Sequence, residues 1–222
     1  MRKVSRACTN TPDSCSAHPL ARTRSPQAVV RSSLGVKLWV TAPPVALVRP
    51  PRCPRCENAA TPLGGNVVLH GHGVRERQLW GPLEPDGEPK LTVVKTRRYR
   101  CIACGAITTV GPSETLTRRL YSASAIALAL ALHGLQRLGS AAVRKLVSPM
   151  RLIAVPSASW VTLRRWCRAV GTPKLFGGVR RIAGPLREVA AEAAASLSAH
   201  ALPSLEPPSL IVQAFHGAVH AR

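Results

Sequence analysis

Apolar and polar positions divide this chain into three regimes. Residues 1–47 hold neither a two-residue nor a 3.6-residue period. Their scattered Arg, Ser, Thr and Pro, with one acid, point to a disordered basic arm or to a start codon assigned too far upstream. The Arg- and Ser-rich, acid-poor composition also suits an organelle transit peptide, although no convincing amphipathic helix accompanies it. At residues 39–48, WVTAPPVALV, an apolar run broken by Pro43 and Pro44 reads as an edge strand or an extended lead-in. Residues 48–112 then carry short β-prone runs. Two of these, 66–70 and 74–80, flank Gly71-His72-Gly73 and predict a β-hairpin about that turn. Residues 81–89, GPLEPDGEP, give a second turn, 90–100 (KLTVVKTRRYR) a strand, and 107–110 its return strand.

Beyond Pro112 the period becomes helical. A helix is expected from about Ser122, capped by Ser122 or Ser124, through an Ala/Leu run. Its uncharged stretch runs only from Leu120 to Gln136, short of the roughly 20 residues a membrane span needs, so it is assigned as a buried helix. A second helix, 140–147, lies between Gly139 and Pro149. A third follows Ser157 or Ser159 and ends at Gly171. It places Trp160, Leu163, Trp166, Cys167 and Val170 on one stripe and Arg164, Arg165 and Arg168 on the other side. Residues 118–171 are therefore expected to form a three-helix helix-turn-helix module. Residues 172–222 read as a basic linker, an Ala-rich helix and a patternless tail, with neither repeats nor heptads.

Charge narrows the function. The 222 residues carry 31 Lys+Arg against 10 Asp+Glu, a formal charge of +21. Such an imbalance favours work against a polyanion over a free enzyme for neutral metabolites. Between Lys90 and Arg187 the sole acid is Glu114, which leaves too few carboxylates for a two-metal nuclease or strand-transfer site there.

Seven cysteines become informative through their spacing. Cys53-Pro-Arg-Cys56 and Cys101-Ile-Ala-Cys104 are two C-x-x-C knuckles, each set among basic β-prone residues. This is the signature of a structural Cys₄ zinc site, while a redox dithiol or a disulfide pair remain the alternatives. Four thiolates around Zn²⁺ leave a net charge of −2, which Arg52, Arg55, Arg97, Arg98 and Arg100 are placed to offset. The fold class is then α+β: a small antiparallel Cys₄ zinc ribbon at 48–112, then the helical module, preceded by the disordered arm. No apolar signal segment follows the basic start, so a reducing, cytoplasmic setting is expected.

The cations Arg97, Arg98, Arg118, Arg119, Arg144, Lys145, Arg164, Arg165 and Arg168 span both modules and are assigned to DNA, with phosphate contacts giving affinity. Base reading would need the third helix in the major groove. His70 and His72, with Glu76, are the weaker candidates for a second metal or a His-based nuclease. Cys167 lies on the apolar stripe of the third helix, where a free thiol acts as a small hydrophobe.

Taken in order, the first knuckle, His72 to Arg77 (HGVRER), Arg98-Tyr-Arg-Cys-x-x-Cys-Gly, Arg118 to Tyr121 and a helical region with Ser-x-x-Trp resemble the amino-terminal part of bacterial insertion-sequence transposases and related short DNA-binding proteins. The resemblance spans about residues 50–170. It implies cysteine ligands to zinc, a recognition helix at 157–168, double-stranded DNA as partner, and a transposase or a second copy of the chain as companion. No acid-triad catalytic domain follows, so a non-enzymatic remnant or accessory protein is expected, outside any membrane. An RNA- or ribosome-associated zinc-ribbon protein is the second reading.

Overall fold

The computed structural model describes residues 28–150, 160–172, 175–180, 182–204, 206 and 208–221. Its elements are β1 (Ala28–Arg31), a 3₁₀ turn (Val36–Trp39), β2 (Leu69–Gly81), β3 (Lys90–Cys101), β4 (Ile107–Gly111), α1 (Ala123–Gly134), α2 (Ser140–Val147), α3 (Val161–Val170), α4 (Leu186–Ser198) and α5 (Leu210–Gly217). The α+β class therefore holds. One sheet runs in the order β1-β4-β3-β2, antiparallel except that β1 lies parallel to β4.

The hairpin expected about Gly71-His72-Gly73 is absent. β2 continues through these residues, paired with β3 from Leu69↔Cys101 to Gly81↔Lys90, and takes up the extra residues as a bulge between Gly71 and Val74. Gly73 there has φ 100°, a conformation a side chain rarely adopts. The chain reverses instead through 82–89, where the Gly87 N–H donates to the Glu84 carbonyl.

Residues 28–47, expected within a disordered arm, are ordered. β1 takes the edge of β4, and Trp39 is fully buried. Two side chains of β3 clasp the following segment: Arg97 Nε donates to the Pro43 carbonyl at 2.6 Å, and the Tyr99 hydroxyl to the Val45 carbonyl at 2.6 Å. Tertiary burial supplies the order that local periodicity did not indicate. Residues 1–27, with Cys8, Cys15 and the transit-peptide and upstream-start readings, lie outside the described residues.

Two apolar cores result. The first, under the sheet, gathers Val36, Trp39, Val48, Leu69, Leu79, Val94, Tyr99 and Val110 around the buried Cys53 and Cys101. The second surrounds α1, which is apolar on every side because α2, α3, α4 and α5 all pack on it. Ser122 caps α1, accepting the Ala125 N–H at 3.0 Å.

Among the described residues the helical part comprises five helices: the expected three, the expected Ala-rich helix as α4, and α5, which falls in the tail expected to lack pattern. Pro208 does not oppose α5, because it precedes the helix and needs no intrahelical N–H. Gly134 faces the backbone of Ala191, and Gly217 that of Leu197, so closely that neither site has room for a Cβ. These two contacts seat α4 against α1 and α5 against α4.

α3 starts at Val161 and α2 ends at Val147, with thirteen residues of sequence between them, against the three- to four-residue turn usual in a helix-turn-helix. The expected caps Ser157 and Ser159 lie outside the described residues. The two helix starts are tied by the Trp160 N–H donating to Ser140 Oγ at 3.1 Å. No helix among the described residues is long and apolar enough to cross a membrane.

Candidate metal centre and unpaired arginine surfaces

The two knuckles have one backbone design. In the first, the Cys53 N–H bonds the Asn58 carbonyl and the Glu57 N–H returns to the Cys53 carbonyl, both at 2.9 Å. In the second, the Cys101 N–H bonds the Ala106 carbonyl and the Gly105 N–H returns to the Cys101 carbonyl, again at 2.9 Å. The residue after each second cysteine is left-handed, Glu57 at φ 59° and Gly105 at φ 70°. Each turn thus aims two sulfurs the same way. β3 ends in the second knuckle, and the Arg52↔Ala59 bridge closes the first.

The four Sγ atoms meet within 4.8 Å of one another, and the cross-knuckle pairs Cys53–Cys104 and Cys56–Cys101 are both 3.7 Å apart. This cluster can hold a metal ion, and all four cysteines are free. Burial raises the Cys53 thiol, but N–H groups of Cys56 and Arg55 and the neighbouring thiols outweigh it and hold it at about 7. At Cys56 the Asn58 N–H favours the thiolate, but burial and the other three sulfurs push it up to about 12. Crowded sulfurs thus resist a full set of thiolates until a cation joins them. Among the described residues no other group of three His, Cys, Asp or Glu gathers this way, and His70, His72 and Glu76 are not brought together as such a group.

Glu57 occupies a position whose counterpart is glycine. Glu57→Gly is expected to raise stability by about 1 kcal/mol by removing a Cβ from left-handed backbone. Chemical denaturation of the metal-loaded protein checks this, and a loss of stability would show that the Glu57 side chain contributes to the knuckle.

The residues assigned to DNA divide into two kinds. Arg97 is half-buried and its guanidinium is spent on the carbonyls of Pro43 and Ala42, so its role in the structure is to fasten the 42–45 segment. Arg98, Arg118, Arg119, Arg144, Lys145, Arg164, Arg165 and Arg168 have side chains with no hydrogen bond or ion pair to a described residue. On α3, Leu163, Trp166, Cys167 and Val170 are buried while Arg164, Arg165 and Arg168 are exposed. Burial pushes the Cys167 thiol up to about 11, which keeps it neutral and unreactive.

Periodicity did not single out three features. Arg75 and Arg77 stand on β2 within the quoted HGVRER motif but without an assigned role. Glu114 is engaged inside the protein, accepting from the Val36 N–H at 3.1 Å and Ser113 Oγ at 3.0 Å. Trp80, Tyr121, Trp160 and Trp166 form one cluster of edge-to-face pairs with centroids 4.8 to 5.9 Å apart, joining the sheet to the helices. No protein-family model, curated protein or solved structure matches this chain.

Proposed function

We propose that this chain is a non-enzymatic DNA-binding protein whose four cysteines hold a structural zinc ion. An ion centred in a regular tetrahedron of 3.7 Å edges lies about 2.3 Å from each sulfur, the usual Zn–S distance. With all four positions filled by protein, such an ion keeps no open site for chemistry and serves to lock the knuckles.

The observation that carries the DNA reading is the set of arginines on β3, the 116–119 turn and α3 with which no described carboxylate pairs. Solvated surfaces ordinarily interleave both signs. Cations left unpaired suit a partner that brings its own anions and releases counterions on binding. Duplex is favoured over single strands because every Trp, Tyr and Phe of the chain is buried or half-buried, leaving no platform on which splayed bases could stack. That burial also weighs against the RNA-associated reading.

α3, with three exposed arginines opposite a buried stripe, is the proposed groove-reading element, in the place of the third helix of a helix-turn-helix. The resemblance of the motif order to insertion-sequence transposases supports a transposase-derived or transposase-accessory role as the setting, in the cytoplasm, with a transposase or a second copy as companion. An electrophoretic shift with duplex and single-stranded competitors tests the reading. Duplex should compete the better, and equal competition by single strands across all salt concentrations would sink it.

A further inference from the structure

Arg77 stands apart from the other cations. It is half-buried on β2, where burial and then neighbouring Arg75 disfavour its charge, and no carboxylate accompanies it. Its Nη2 donates to two backbone carbonyls of the turn after β4, Leu116 at 2.6 Å and Arg119 at 2.9 Å. A half-buried guanidinium without an acid meets its hydrogen-bonding need on these carbonyls and so fastens the segment that carries them.

Between those carbonyls lies Arg118, exposed and left-handed at φ 59°. Glycine would fit that backbone without strain, yet the chain places there a long cation with no partner among the described residues. The segment is fastened again just beyond: the Trp80 N–H donates to the Leu120 carbonyl at 2.9 Å, and the Ser122 N–H to the Trp80 carbonyl at 3.1 Å. Arg75 lies two residues before Arg77, hence on the same face of β2, its carbonyl held by Thr96 Oγ1 at 2.7 Å. Glu76 alternates to the opposite face, across from Lys95, and Glu114 is already engaged. No described carboxylate pairs with Arg75, Arg118 or Arg119.

We propose that Arg77 is a positioning residue: it holds the 116–119 turn so that Arg118, with Arg119 and Arg75, clamps phosphates of duplex DNA, separately from the arginines of α3. This rests on the DNA-binding reading and assigns to the ribbon side a contact of its own.

The test titrates the zinc-loaded full chain with a labelled duplex of random sequence over a range of salt. The variants are Arg118→Gly, Arg118→Gln, Arg77→Met and the double Arg77→Met/Arg118→Gln. Loss of one phosphate contact should weaken binding about eightfold at roughly 0.1 M salt and flatten the salt slope by about 0.9. Arg118→Gly should do both while raising the thermal midpoint, since it relieves the strained backbone. That opposition is one a purely structural residue would not produce. Arg77→Met should cost a similar factor, and the double variant little more than either single one. Unchanged affinity and slope in both Arg118 variants, or losses that multiply in the double variant, would overturn the clamp while leaving the DNA reading intact. No duplex binding by the unmodified chain at any salt would defeat that reading and the clamp with it. The Arg118 variants leave Arg77's hydrogen bonds in place, so the test survives if Arg77→Met fails to fold.

Discussion

Removing the metal, by chelation or by Cys101→Ser, is expected to unfold the sheet and leave the helical half folded. Cys53 and Cys101 are fully buried and belong to the core under the sheet, which otherwise holds a modest set of side chains. Small zinc domains draw an apparent 10–16 kcal/mol, roughly, from the ion, as much as the whole stability of an ordinary domain. Without it, four sulfurs are left crowded at the meeting of two knuckles. The α1-centred core contains none of these cysteines and is built mainly from the helices, with Trp80 of β2 packed against it. Chelation should therefore abolish the β contribution to far-UV circular dichroism and shift the fluorescence of buried Trp39, while most helical signal persists. Unchanged spectra and thermal unfolding after verified metal removal would refute a structural ion.

The second large effect is expected from Trp166→Ala. Trp166 is 2% exposed and packs edge-to-face on Tyr121 at 4.8 Å and on Trp160 at 5.1 Å. Truncating a buried aromatic of this size costs about 3–5 kcal/mol, part of it from the cavity left behind. Tyr121→Phe should cost less, about 1 kcal/mol, through loss of the 2.8 Å hydroxyl contact with Ser148. Denaturant titration measures both, and a Trp166→Ala loss below about 1 kcal/mol would mean that the cluster does not brace the helices. Because Trp80 carries the cluster to the sheet, loss of these rings should also separate the unfolding of the two halves.

How much of this was legible in the chain depends on how local each signal is. The knuckles were readable because two sulfurs three residues apart in a tight turn are a local statement, and their convergence follows from β3 leading directly into Cys101. The α3 stripe was readable for the same reason. The β2 bulge was not, because Gly71-His72-Gly73 has turn chemistry and only the long pairing with β3 decides that the strand continues. Residues 28–47 and α5 escaped notice because their order comes from distant partners. Arg97 and Tyr99 clasp 42–45, and Gly217 meets the Leu197 backbone. Arg97 was grouped with the DNA-facing cations because composition counts charge and cannot see that its guanidinium binds the carbonyls of Pro43 and Ala42. Arg77 escaped for the converse reason, as its importance lies in two carbonyls some forty residues away.

The central claim is that the arginines left unpaired among the described residues meet the phosphates of duplex DNA, on a scaffold proposed to be held by zinc. The most direct measurement is the duplex association constant of the zinc-loaded chain across salt concentrations. If about five phosphates are engaged, the logarithm of the constant should fall against the logarithm of salt with a slope of about −4 to −5. A slope near zero, or no association at the lowest salt, would contradict it.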